Sequence, residues 1–552
     1  MANEDFFNIA QTLTIAAKDD PERLAVIARH AADSLGRTVI SYDQLAQDSS
    51  RLASGLLASG FNPGDRVVVM VPMGLDFFIT VFALFKARLI PVMVDPGMGL
   101  KRVLLCLSEG QPRGVIGPLL VHLICFLWPK YFSTVKKRVV IGRFPGFLGL
   151  KNFKKLLTSY PPLPEQKTLA EETAAILFTS GATGPAKGAI YTHAMFRAQV
   201  QSIAQNFGFK FGGVDMATFP LFALFAPALG LTSVIPNMNP IKPGQADPKK
   251  LLFSLENEKC DSLFGSPALL TRLADYGSDK GLVLKGIRLI ITAGAPVQPH
   301  LAGKVGSLLE EGAVLVTPYG ATEGMPLTTV DHNEIAGAKG MTEQGFGMCV
   351  GRPLPGINLT ILPIDDQPLA SFKESQTLPV GEVGEITASG PVVCQGYFAR
   401  PNETALTLVT GPDGVVWRRM GDLGWQDAQG RLWFCGRKSQ RVVSAQGTLF
   451  TVCCESIFNN HPKVRRSALV GVGPAGQKKP VMVIEPKTRL KRGEWPILVA
   501  ELKKLGQANP RTRSIEIFLK KDAFPMDIRH NAKIGREKLA VWAAKRLESD
   551  RN

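Results

Sequence analysis

Residues 177–196 read LFTSGATGPAKGAIYTHAMF. An apolar run at 174–178 leads into a segment rich in glycine and hydroxyl groups, and a helical pattern follows. Thr179, Ser180 and Thr183 supply hydroxyls, Gly181 and Gly184 let a ligand approach the backbone, and Lys187 adds a cation. Successive amides and hydroxyls with one cation suit a pyrophosphate. The segment is not a Walker A loop, because Gly188 follows Lys187 where Ser or Thr would be needed. A loop of this kind at the end of an apolar strand predicts an α/β sheet, whose ligands gather at the carboxyl ends of its strands.

The surrounding sequence carries the same alternation. Residues 39–94 run helix, turn (FNPGD), strand (RVVVMVP), helix and strand (IPVMVDP), the pattern of a parallel sheet. Short apolar runs ending in Gly or Pro return as MATFP (216–220), SLFGSP (262–267), GIRLIITAGAP (286–296) and AVLVTPYG (313–320). From about 355 to 435 the pattern becomes short strands with Gly and Asp turns, an antiparallel region. After GRKSQRV (436–442) the chain restarts as a small α+β unit. A length of 552 residues exceeds one hydrophobic core. The expected fold class is therefore multidomain α/β, with a large domain at 1–436 and a small domain at 437–552.

Hydrophobic residues make up 45% of the chain and charged residues 20%, ordinary for a globular enzyme. Lys and Arg number 64 against 47 Asp and Glu, giving a net charge of +17. The charge is scattered, which suits anionic small substrates and argues against nucleic acid. Eight cysteines without a CxxC pair read as reduced thiols. The polar, acidic start MANEDFFNIA shows no signal peptide, so the expected location is cytoplasmic. One stretch, GVIGPLLVHLICFLW (114–128), is apolar but falls short of the roughly 20 residues a spanning helix needs. With its basic, aromatic flank PKYFSTVKKR it reads as a buried or capping helix, or as a surface for lipid or a greasy partner.

The phosphate loop belongs to an ordered set: Gly294, Ala295 and Pro296; YGATEG (319–324); GDLG (421–424); GRKSQRV; and RHNAKIGREKL (529–539). From about residue 10 to about 545 the chain resembles the adenylate-forming superfamily of acyl-CoA synthetases, nonribosomal peptide adenylation domains and luciferases. That resemblance implies an ATP- and Mg2+-dependent enzyme. The 179–188 loop, with Thr179, Ser180, Gly181, Thr183, Gly184 and Lys187, would hold the β- and γ-phosphates. Tyr319, with Gly320 beside it, would stack on adenine, and Gly294, Ala295 and Pro296 would cover its other face. Thr322 would bond a phosphate, Glu323 together with Thr179 would hold the metal, and Asp422 would take the ribose hydroxyls with Arg437 nearby. Lys533 would bridge the attacking carboxylate and the α-phosphate, and Lys438 would be the pivot of a rotating small domain. The family usually has Gly directly before this lysine. Here Ala532 precedes it and Pro525 lies eight positions back, which makes Lys538 a rival.

The segment FPLFALFAPALGLTSVIPNMNP (219–240) places Phe219, Phe222 and Phe225 at i, i+3 and i+6. With Phe264 and Gly265 of FGSPALL it predicts an apolar acyl tunnel, hence a long-chain acid. The same segment, with DIRHNAKIGREKLAVWAA (527–544), resembles the bacterial olefin β-lactone synthetases. Those enzymes adenylate a 2-alkyl-3-hydroxy acid, whose own hydroxyl then expels AMP and closes a β-lactone. The alternative is a long-chain fatty acyl-CoA ligase, which would need coenzyme A. His193 is a candidate base for the hydroxyl, though a structural role fits it better. The expected partners are the β-hydroxy acid, neighbouring hydrocarbon-pathway enzymes and a peripheral membrane contact.

Overall fold

Thr173–Thr179, the apolar run before the phosphate loop, lies deep in a sheet between Ile90–Val94 and Lys187–Thr192. The computed structural model describes residues 6–30, 36–142, 149–179, 186–526 and 534–549. Among these, one sheet has seven strands, ordered Lys151–Asn152, Lys137–Ile141, Gly114–Pro118, Arg66–Val69, Ile90–Val94, Thr173–Thr179, Lys187–Thr192. All neighbours are parallel except the last pair. Parallel strands covered on both faces must be apolar throughout, as Val67, Val68, Val115 and Ile116 are.

The phosphate loop therefore differs from the sequence-based expectation in its exit. It closes a hairpin in which Thr179 pairs with Lys187, and the helix His193–Asn206 begins only after that second strand. β-Branched and aromatic residues in 187–192 favour the strand, and Thr192 then caps the helix by accepting the Met195 amide at 3.1 Å.

The second large sheet has nine strands among the described residues. Its parallel centre contains Val214–Ala217, Ser262–Phe264, Leu289–Ile291 and Val314–Ala321, with Gly324–Asp331 antiparallel beside the last. These are the Gly- and Pro-terminated runs of the sequence. Between the sheets sits the helix Leu75–Lys86, with Phe77, Phe78, Phe82 and Phe85 all buried. The 355–435 region forms the expected antiparallel sheet, built on Asn358–Leu362, Gly384–Ser389, Val416–Gln426 and Leu432–Arg437.

Residues 442–549 form a hairpin, a three-stranded sheet and helices including Thr451–Asn459, Glu494–Gln507 and Arg536–Ser549. Among the described residues, polar contacts of this unit to the rest include Arg536 to Gln440 (3.2 Å), the Asn460 amide to the Glu343 carbonyl (3.1 Å) and the Asn509 amide to the Gln344 carbonyl (2.9 Å). The 114–128 stretch also departs from expectation. It divides into the buried strand Gly114–Pro118 and the short helix Leu119–Leu127. Pro118 ends the strand, since it supplies no amide for the ladder. All eight cysteines are buried and free, and no helix among the described residues is long and apolar enough to cross a membrane.

Candidate active site

One cleft of about 2940 Å³ opens along the carboxyl ends of the parallel strands and continues to the C-terminal unit. That is several times the roughly 300–1,000 Å³ of an ordinary small-molecule site, so a nucleotide and a long chain fit together.

The polar end is built by a turn. Strand Val314–Ala321 reverses through Thr322 and Glu323 into Gly324–Asp331, with Ala321 paired to Gly324. The turn demands glycine at 320: an added Cβ would collide with the Gly324 carbonyl. Tyr319 projects toward the antiparallel sheet, where its hydroxyl donates to Asp422 Oδ2 at 2.9 Å. Asp422 and Arg437 face each other across adjacent strands, and Arg437 Nη1 lies 3.0 Å from Asp422 Oδ1. Burial and the neighbouring Asp422 push the Tyr319 hydroxyl well up, so it remains a donor, while Asp422 holds the Arg437 guanidinium charged. Gly294, Ala295 and Pro296 follow strand Leu289–Ile291 and line the same end of the cleft.

Glu323 and Thr322 are held by aromatic hydroxyls that the sequence reading missed. Tyr397 donates to Glu323 Oε1 at 2.8 Å, and Tyr191 donates to the Thr322 carbonyl. The Tyr397 ring in turn has the Arg418 guanidinium 4.6 Å and the Lys187 ammonium 5.2 Å from its centroid. Arg418 is fully buried and donates to the Cys394 carbonyl at 2.8 Å. Tyr397 stands in the loop GYFARP, where no periodicity marks a functional residue. Gln199 also lines the cleft. Its Nε2 donates to the Met325 carbonyl at 2.8 Å, and its Oε1 is buried without a hydrogen-bond partner.

The apolar end follows the expected residues with one exception. Phe219, Phe222, Phe225 and Phe264 all line the cleft. Phe222 stacks on Phe264 with centroids 3.8 Å apart, and Phe222 and Phe225 lie 6.2 Å apart. Phe222 and Phe225 sit on two one-turn helices, Pro220–Ala223 and Phe225–Ala228, because Pro227 and Gly230 prevent a longer one. Gly265 is the exception: it stands behind the wall, where a Cβ would face Leu269 and Leu270. Helix His193–Asn206 and its exit contribute Phe196, Val200, Ile203 and Phe207 to the cleft. Their i, i+4, i+7, i+11 spacing was legible as a helical stripe, but nothing in it separates a tunnel wall from a core face.

His193 is a structural residue. It is buried behind the cleft, and its Nδ1 accepts the Ile9 amide at 3.1 Å, which anchors the N-terminal segment. Burial lowers its pKa to about 4. Lys438 Nζ lies 3.0 Å from buried Glu385 and 2.8 Å from the Asp365 carbonyl, directly after Arg437. Gly436 before it has φ +126°, and a Cβ there would collide with Thr451 Oγ1. Lys538 is exposed at the cleft edge. Ser180, Gly181, Thr183, Gly184 and Lys533 lie outside the described residues; Thr179 and Lys187 pair across the base of their loop. Among the described residues no three His, Cys, Asp or Glu gather as a metal site.

A nucleotide-sized polar end, reached by strand ends of a parallel sheet and continuous with a phenylalanine-lined channel, defines an adenylating site. The chain belongs to the AMP-binding enzyme family, whose model matches residues 13–398. It is 43% identical over 555 residues to the olefin beta-lactone synthetase of Stenotrophomonas maltophilia, covering 98% of this chain and 99% of that one. The olefin beta-lactone synthetase of Xanthomonas campestris is 42% identical over 548 residues, covering 97% of each. Among solved structures, ATP-bound MatB from Rhodopseudomonas palustris shares the fold with a TM-score of 0.77 at 21% identity, covering 98% of this chain and 99% of that one.

Proposed function

We propose that the chain converts a long-chain 2-alkyl-3-hydroxy acid and ATP into a β-lactone, AMP and pyrophosphate. The observation that carries this reading is the full-length identity to the two olefin beta-lactone synthetases. The continuous cleft, polar at Tyr319 and Asp422 and apolar at Phe222 and Phe264, supports it. Residues 1–436 act as the adenylating body and 437–552 as the part that rotates about Lys438.

In the first step a carboxylate oxygen attacks the α-phosphorus and the bond to the β-phosphate oxygen breaks. Two anions meet, so cations and fixed dipoles must offset their repulsion. Lys187 and the loop it closes serve the leaving pyrophosphate, and Lys533 bridges carboxylate and α-phosphate. Asp422 and Arg437 orient the ribose, while Tyr319 covers the adenine. A Mg2+ carried by the phosphates needs only one or two protein carboxylates, which fits an isolated Glu323 aligned by Tyr397. When bound it neutralises charge on the phosphate oxygens.

In the second step the substrate's 3-hydroxyl oxygen attacks the acyl carbon, the bond from that carbon to the AMP phosphate oxygen breaks, and the hydroxyl proton passes to the departing phosphate. Both groups belong to one molecule, so holding them together removes much of the entropic barrier. Eight thiols in no disulfide support a reducing, cytoplasmic setting.

The test is incubation with ATP, Mg2+ and a 2-alkyl-3-hydroxy acid without coenzyme A. The expected outcome is AMP and a product lighter than the acid by one water. AMP release that depends on coenzyme A would instead assign an acyl-CoA ligase.

A further inference from the structure

Helix Leu119–Leu127 turns Val121, His122 and Cys125 inward, as an amphipathic helix should. Its outward face is apolar as well. Leu120 is 67% exposed, Phe126 74% and Leu127 65%, with Leu119, Leu123 and Trp128 also exposed. The helix Leu100–Glu109 shares a hydrophobic cluster with it and adds Leu100 and Leu105 to the exposed set. A patch of this kind costs solubility and marks a binding surface.

The charge around the patch is one-sided. Between residues 100 and 142 the chain carries Lys101, Arg102, Arg113, Lys130, Lys136, Lys137 and Arg138 against a single acidic residue, Glu109. Glu109 is already paired with Arg400 at 2.7 Å, and Lys137 with Asp65 at 3.4 Å. Among the described residues, Lys101, Arg102, Lys130 and Lys136 are exposed with no carboxylate in ion-pair range. Trp128 and Tyr131 stand at the apolar–basic border, where amphipathic rings favour a membrane interface. The helix is far too short to span, so it can only lie in the interface plane. The patch also reaches the cleft: Leu105 and Arg102 line its rim and Val121 its wall.

We infer that this face docks the enzyme on an anionic lipid bilayer, with the two helices lying in the headgroup boundary beside the cleft rim. Apolar side chains enter the acyl boundary while the lysines meet lipid phosphates. A hydrocarbon chain can then pass between bilayer and cleft without crossing open water.

The test is co-sedimentation of the full chain with vesicles, a readout independent of catalysis. Vesicles of equal parts phosphatidylcholine and phosphatidylglycerol should retain the protein about tenfold better than phosphatidylcholine alone, and added salt should weaken retention. Leu120→Glu/Phe126→Glu should lower retention about tenfold, with unchanged thermal unfolding. Lys130→Glu/Lys136→Glu, which leaves the apolar residues intact, should lower it as well. The inference is overturned if the wild-type chain stays in solution with anionic vesicles, or if both variants bind them as the wild type does. It is equally overturned if the patch variants only dissolve a concentration-dependent dimer, which would assign the face to a second copy of the chain.

Discussion

Glu323 reaches the cleft as a single carboxylate, and its geometry depends on one phenol. Tyr397 fixes Glu323 Oε1, and Arg418 stands over the Tyr397 ring. Groups that orient a metal ligand typically change metal affinity by about 10–100-fold. Tyr397→Phe should therefore raise the Mg2+ needed for half-maximal pyrophosphate exchange about tenfold, and Glu323→Gln at least as much. A metal titration identical to wild type would remove both from the site. Two other buried groups contribute to the response to acid with opposite signs. His193 is held near a pKa of about 4 against an ordinary 6.5, so between those values only the unfolded chain binds its proton. Stability from this group is complete above the unfolded value and is lost as pH falls toward 4. Asp215, buried beside Ser262, is raised from 3.8 to about 6. Its contribution has the opposite sign: present at low pH and lost as pH rises through about 6. The two slopes offset each other through the shared window. Asp215→Asn should remove that offset, deepening the stability loss between neutral pH and pH 4 by roughly 2 kcal/mol. Denaturant titrations at both pH values check this, and an unchanged pH profile would refute it.

At the scale of elements, the channel wall is two one-turn helices leaning on a strand end. The Phe222–Phe264 stack joins them, and Phe264 is held by its strand while Phe222 is not. Phe264 is buried, whereas Phe222 is only half-buried, so removing the Phe222 ring takes away area that a long chain would cover, worth roughly 1.5–3 kcal/mol. Phe222→Ala should raise KM for a long-chain acid about 10–100-fold and leave that for a short acid nearly unchanged. Equal losses for both would show that the ring supports the fold rather than the substrate. The i, i+3, i+6 spacing of Phe219, Phe222 and Phe225 was visible in the sequence, and so was the stripe on His193–Asn206. That they line one cleft was not, because periodicity reports a face without reporting its neighbour. The hairpin after Thr179 was missed for a related reason. A Gly-rich loop is compatible with either exit, and the edge position that accepts Lys187–Thr192 is set by the sheet.

For the whole molecule, the proposed joint between large and small units lies after Gly436. Among the described residues the small unit meets the large one through ion pairs such as Arg441–Asp366 and through buried packing of Cys453 and Ile457 against Cys435 and Gly345. This packing would have to break in the proposed rotation. Lys438→Pro should restrict it and separate the half-reactions, so that pyrophosphate exchange and lactone release fall by different factors. A uniform loss would argue against a pivot. Lys533→Ala should reduce exchange by about 100-fold or more with ATP affinity nearly kept, and a wild-type rate would move the role to Lys538.

The linear sequence determined the sheet strands, the order of the nucleotide-site motifs and the apolar character of the acyl segment, because each is a local pattern of spacing and side-chain type. The resemblance carried by its motifs also implied that Tyr319, Asp422 and Arg437 share one site, and the structure bonds all three. Only the tertiary structure decided that Tyr397, Arg418, Tyr191 and Gln199 support that site, that Gly265 stands behind the wall, and that His193 anchors the N-terminal segment. Those roles arise from contacts between residues 74 to 184 positions apart or from burial, and neither leaves a periodic trace in the chain.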